Sequence, residues 1–121
     1  NVAASAAAIA GLGGELVLIA GGVGKGADFS PLADAARGRV RHAVLIGEAA
    51  PALAEVLAPV CEVSLAETLE EAVHRAARAA NPGETVLLSP ACASFDMFED
   101  YAHRGRSFAA AVSALVEESR S

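Results

Sequence analysis

Four short apolar runs, each fenced by glycine, proline or serine, punctuate the chain at intervals that leave room for one helix apiece. Residues 15–20 (ELVLIA) end on Gly21-Gly22, and residues 40–47 (VRHAVLIG) end on their own glycine. Residues 60–64 form a shorter run, and residues 84–89 (ETVLLS) stop at Pro90. Runs that are apolar at successive positions, rather than alternate ones, read as strands covered on both faces. Helix patterns over residues 2–12, 30–37, 50–58 and 65–80 fill the gaps. Ser30 is expected to cap the second of these, with Pro31 in its first turn and Gly38 after its end. Leu69, Val73 and Ala77 mark the inner stripe of the fourth. Asn81-Pro82-Gly83 is a turn, and the pattern returns to helix after about residue 96, with Phe108, Val112, Leu115 and Val116 as a buried stripe. Strands and helices in this alternation predict an α/β sandwich with a mainly parallel sheet and helices on both faces.

With 121 residues the chain reads as one domain. Hydrophobic residues are 54% and aromatics 4%, so the core is built from Ala, Val, Leu and Ile. A net charge of -6 argues against a nucleic-acid partner and gives no support to an anionic membrane surface. No run reaches the roughly 20 apolar residues of a membrane span. Cys61 and Cys92 make no disulfide framework, and a reducing, cytosolic setting is the simpler reading. The opening NVAASAAAIAGLGG has neither an initiator Met nor the basic segment of a signal peptide. It is expected to be an internal start, with the chain a piece of something larger.

In open α/β sheets ligands bind at the carboxyl ends of strands, near a switch in strand order. That rule selects the loops at residues 21–29, 47–50 and 89–95. The first, GGVGKGADF, surrounds Lys25 with glycines. Glycines let a ligand approach the backbone, and the lysine is a point charge at the sheet's end. It is not a P-loop: Ile19 stands five residues before Gly24, and Gly26 follows the lysine. On this chemistry alone an anion site and a flexible turn with a solvated lysine are both open, and Asp28 reads as a capping or turn residue. In the third loop, SPACASFD, Ser94 reads as a helix N-cap with Cys92 buried. The other reading has Ser94 and the following helix start hold an anion. No base stands beside Cys92, which argues against a nucleophilic role. His42, His74 and His103 lack metal-ligand spacing, so no metal site is expected. Asp96, Glu99 and Asp100 read as acids complementing a helix dipole. Tyr101 reads as a half-buried packing residue.

The two loops together carry a resemblance. LVLIAGGVGKGADFSPL followed by TVLLSPACASFDMFEDYAHRGRSF resembles the C-terminal domain of the Mur ligases, in particular the branch that adds D-glutamate. The likeness runs from NVAAS to the final helix. LLSPACAS, with Arg104 to Phe108 as RGxxF, is its specific signature. The resemblance implies a Rossmann-like three-layer sandwich, the third domain of a three-domain ligase. The first domain would hold UDP-N-acetylmuramoyl-L-alanine, and the central one ATP and magnesium. The third would present D-glutamate during peptidoglycan precursor synthesis. By position, Lys25 matches the lysine that pairs with a D-glutamate carboxylate. Ser94 and Phe95 match residues at the glutamate pocket, and Tyr101 matches an aromatic lining it, usually Phe. No catalytic residue, cofactor site or metal is implied for this chain itself. Val23 stands where some relatives carry an aspartate. The family's Asp-Ser-Lys-Ala-Thr stretch and its leading strand would fall just before Asn1, as would the ATP-binding domain. The chain alone is therefore expected to be inactive.

Two other readings stand beside this one. The first is a Mur or folylpolyglutamate-type ligase domain for another amino acid, against which the SPACAS loop speaks. The second is a non-catalytic flavodoxin-like binding or signalling module. A receiver module would need acids at the ends of its first strands, and a flavin site would need more aromatics.

Overall fold

The computed structural model of the protein describes residues 2–22 and 27–91. Along these residues the elements alternate as expected. They are α1 (Val2–Gly11), β1 (Leu16–Gly21), α2 (Ser30–Ala36), β2 (Val40–Ile46), α3 (Ala50–Leu57), β3 (Glu62–Leu65), α4 (Leu69–Ala79) and β4 (Thr85–Ala91). Among the described residues the sheet has four strands in the order β3-β2-β1-β4, and every pairing is parallel. The helix expected beyond residue 96 lies outside the described residues.

β1 is central and buried at all six positions, which is why its sequence shows no alternation. Its side chains divide between two cores. Leu16, Leu18 and Ala20 pack with Ile9 of α1, Leu32 and Ala36 of α2, and Leu53 and Leu57 of α3. Val17 and Ile19 face the other way, against Leu69, Ala72, Val73 and Ala76 of α4. The result is the three-layer sandwich, with α1, α2 and α3 on one face and α4 on the other. The chain steps from β1 to β2 to β3 with helices on the first face, then returns to β4 through α4 on the second. Crossovers of one hand require that exchange of faces when the direction of travel reverses.

Beyond shifts of a single residue, four points differ from the sequence reading, each for a physical reason. Ser30 is the first residue of α2 and not its cap; Phe29 precedes it, and the Asp28 carboxylate accepts from the Ser30 N–H at 3.0 Å. β3 starts at Glu62 because Val60 and Cys61 still donate to the Leu57 carbonyl at the end of α3. α4 starts at Leu69, leaving Leu65 in β3, because the Thr68 hydroxyl accepts from the Glu71 N–H at 3.0 Å. A cap of this kind satisfies one of the helix's free donors. β4 runs on through Pro90 to Ala91 instead of stopping at Ser89. Ile19 pairs with Leu88 and Gly21 with Ala91, so β4 takes one more residue than β1 over this stretch. A bulge is where a strand tolerates a proline, which has no N–H for the ladder.

At the amino end of the sheet Arg41 fastens three elements. Its guanidinium meets Glu84 through two bonds of 2.8 and 2.7 Å, and also donates to the Ala79 carbonyl at the end of α4. Glu84 accepts a further bond from the Asn81 N–H at 2.7 Å. The paired Arg41, and then the Asn81 N–H, hold the Glu84 carboxyl well below its ordinary 4.5, at about 2. A carboxylate more acidic in the folded state than in the unfolded one contributes stability that is full above about pH 4.5. That contribution is lost as pH falls towards 2. Glu84→Gln is therefore expected to flatten the pH dependence of urea midpoints between pH 5 and 2 and to lower them at pH 7. An unchanged acid limb would show that Glu84 does not carry this titration.

Candidate functional site

The strand order places the switch point between β1 and β4. From β1 the chain moves towards β3, and it comes back to the other side of β1 only with β4. At that seam Gly21 lies opposite Ala91, so the carboxyl ends of β1 and β4 lie side by side. These ends precede the first and third loops singled out in the sequence, and the open-sheet rule puts a ligand there.

The root of the β1 loop is fixed by backbone alone. Gly21 has φ 144° and Gly22 φ 128°, values that L side chains rarely adopt. The Gly22 N–H donates to the Ile46 carbonyl at 3.1 Å, and the Gly22 carbonyl accepts from the Ala49 N–H at 2.8 Å. The loop at residues 47–50 is thus a brace for the β1 exit. On the return side Phe29 is 4% exposed and packs in the core, while its carbonyl accepts from the Leu32 and Ala33 N–H groups. Asp28 turns the chain into α2, and its bond from Ser30 lowers the carboxyl pKa. The reading of Asp28 as a turn residue is the one its contacts support.

Lys25 lies within residues 23–26, outside the described residues, although both anchors of its loop are defined. Ser94, Phe95, Tyr101, Cys92 and His103 also lie outside them; the strand that leads to them is described as far as Ala91. The charges that the described residues bring to the carboxyl pole are acidic: Asp28, Glu48 and Glu67. The described arginines stand elsewhere. Arg37, Arg39 and Arg41 flank the amino end of β2, and Arg75 and Arg78 are on α4. Lys25 is the only lysine in the chain. An anionic ligand at this pole meets acids from the described residues, so its cationic partner has to come from Lys25 or from beyond Ala91.

The remaining candidates are accounted for by packing. His42, in β2, hydrogen-bonds the Ser64 hydroxyl on β3 through Nε2, and its Nδ1 is 3.9 Å from the exposed Glu62 carboxylate. Burial raises the Cys61 thiol pKa, which disfavours the thiolate. Among the described residues no group of three or more His, Cys, Asp or Glu side chains is placed to hold a metal ion. No described helix is long and apolar enough to cross a membrane. What sequence reasoning missed is Ser5: it is buried on α1 and accepts a 2.7 Å hydrogen bond from Ser89 of β4. The signal was one hydroxyl in an otherwise apolar helix, VAASAAAIAG.

Comparison with known proteins is decisive on the family. A model of the Mur ligase, glutamate ligase domain, matches residues 1–92. The chain belongs to this Mur ligase domain family. It is 53% identical over 119 residues to the UDP-N-acetylmuramoylalanine--D-glutamate ligase of Coxiella burnetii (strain Dugway 5J108-111), covering 95% of this chain and 27% of the relative. It is 55% identical over 117 residues to the ligase of the same name from Bordetella pertussis, covering 96% and 23%. The Methylococcus capsulatus ligase of that name is 53% identical over 116 residues, covering 96% and 25%. The chain thus spans about a quarter of the length of the curated relatives it matches. Membership in a ligase family sets aside the flavodoxin-like module. The all-parallel, three-layer sheet is the architecture that the Mur ligase resemblance implied.

Proposed function

We propose that residues 1–121 are the C-terminal, amino-acid-binding domain of a three-domain, ADP-forming ligase. The ligase would join D-glutamate to UDP-N-acetylmuramoyl-L-alanine during peptidoglycan precursor synthesis. The observation that carries this reading is 53–55% identity across nearly the whole chain to ligases named for that reaction. The adjacency of the β1 and β4 ends supports it, because Lys25 follows the one strand in the sequence and Ser94 and Phe95 follow the other. In the reaction ATP phosphorylates the L-alanine carboxylate, the D-glutamate amine attacks that acyl carbon, and phosphate departs as the amide forms. ATP and magnesium are held mainly by the central domain, which is this domain's partner; the sequence here has no GKT[TS] loop. The chain by itself is then inactive in ligation. ATP-dependent chemistry and the absence of a cysteine framework favour the cytoplasm.

This domain's part is to bind and orient the amino acid. Lys25 pairs with a D-glutamate carboxylate, Ser94 supplies a hydroxyl, and Phe95 and Tyr101 line the pocket. Orientation is the larger contribution, since holding an amine in line with an acyl phosphate removes most of the entropy of their encounter. Lys25→Ala in the full-length ligase is expected to raise the D-glutamate KM about ten- to a hundredfold, the size of one charge-assisted contact. The KM for ATP should stay within about twofold. Initial-rate kinetics with each substrate varied in turn measure both, and an unchanged D-glutamate KM would remove Lys25 from the site.

A further inference from the structure

Ser5 is the one polar residue that the described core encloses, at 1% exposure. It shares the inner face of α1 with Ile9, one turn on. Eight of the ten residues of this helix are alanine, valine or isoleucine, so a further alanine would fit the helix equally well. A buried hydroxyl carries a desolvation cost unless it is bonded. Its partner here is Ser89, whose hydroxyl donates to Ser5 Oγ at 2.7 Å. Ser89 occupies the stretch of β4 where the strand carries its extra residue, immediately before Ala91 returns to register opposite Gly21. Pro90 gives no N–H to the ladder at this point. The last residues of β4 therefore have weaker backbone attachment to β1 than the rest of the strand, and the serine pair fastens them to α1 from the side.

We propose that Ser5 and Ser89 are positioning residues for the amino-acid substrate. By fastening the β4 bulge to α1, they hold the end of β4 at Ala91, opposite Gly21 and three residues ahead of Ser94 in the sequence. This rests on the D-glutamate reading above. A small displacement of binding groups costs substrate affinity out of proportion to the contact removed.

The test is made in the full-length ligase with Ser5→Ala, Ser89→Ala, the double variant, and Ser89→Thr. Each single alanine variant is expected to raise the D-glutamate KM about three- to tenfold, the worth of one neutral hydrogen bond. The ATP KM should not move. The double variant should be no worse than either single one, because both remove the same bond. Ser89→Thr keeps the hydroxyl in a residue that suits a strand and should restore the KM. Ile9→Val, which loosens the same helix without touching the pair, should leave the KM alone. An unchanged KM in both alanine variants, additive effects in the double, or an equal rise in Ile9→Val would each overturn the proposal. Lys25→Ala run alongside separates the two layers. If it raises the D-glutamate KM and the serine variants do not, the positioning role alone falls. If the parent full-length ligase releases no phosphate in response to D-glutamate, the D-glutamate reading falls and the positioning role with it.

Discussion

Replacing Gly21 with alanine is expected to cost at least about 3 kcal/mol of folding stability, enough to leave a domain of this size partly unfolded. A Cβ at this position would lie 1.9 Å from the Ile46 carbonyl oxygen and 2.8 Å from the Ile46 nitrogen. Neither atom can retreat cheaply. Ile46 ends β2, pairs with Gly21 itself, and its carbonyl accepts the Gly22 N–H. The φ of 144° adds strain of its own for any L side chain. Gly38→Ala is the matched control: φ is 73°, but nothing lies within 4 Å of the added carbon, so only the backbone cost of about 1–2 kcal/mol applies. Urea denaturation of the two variants compares them directly. A Gly21→Ala protein as stable as Gly38→Ala would mean that β1 and β2 can part at this end without consequence.

Leu18→Ala should be nearly as damaging. Leu18 is fully buried at the middle of the central strand and faces the core formed with α1, α2 and α3. Losing its side chain removes the burial energy and leaves a cavity among neighbours already close-packed, about 2–5 kcal/mol together. Leu65, by contrast, is 53% exposed at the end of β3, and Leu65→Ala should change stability by no more than about 0.5 kcal/mol. Thermal or urea melts of the pair report the difference. A Leu18 variant within 1 kcal/mol of the parent would mean that the three helices on that face can close the gap.

The fold was legible in the sequence wherever a local rule was strong. The LVLIA run could only be a strand covered on both sides, and β1 is buried throughout. Punctuation by Gly38 and Asn81-Pro82-Gly83 placed the ends of α2 and α4 to within a residue or two. The misplaced start of α4 had a local signal that went unused: Thr68 and Glu71 have the spacing of a capping box, and Thr68 does cap. The course of β4 past Pro90 had no such signal, since it depends on β1 accommodating a bulge. The link between Arg41 and Glu84 joins residues too far apart in sequence for any local pattern to reveal. For the candidate site, glycine content and the lysine identified the β1 loop, and the open-sheet rule identified the pole. Strand order did the rest, by bringing the end of β4 beside the end of β1. Local patterns cannot supply that order, because it is a property of long-range pairing. Ser5 was missed for a similar reason: an isolated serine in a helix becomes informative only once its partner is known.

The strand order also has a consequence for how the protein is made. Within this domain β1 is synthesised before the other strands, and β2 and β3 follow it on one flank with only short crossovers to close. The other flank of β1 waits for β4, so Leu16 stays unpaired on that side until Thr85 has been synthesised. Closing so long a loop costs little more than closing a short one, but it cannot begin early. A nascent chain that has not reached Ala91 holds the glycine loop and its brace, yet has no seam between two strands for a ligand to occupy. The candidate site's pole is thus the last part of the described sheet to come into existence.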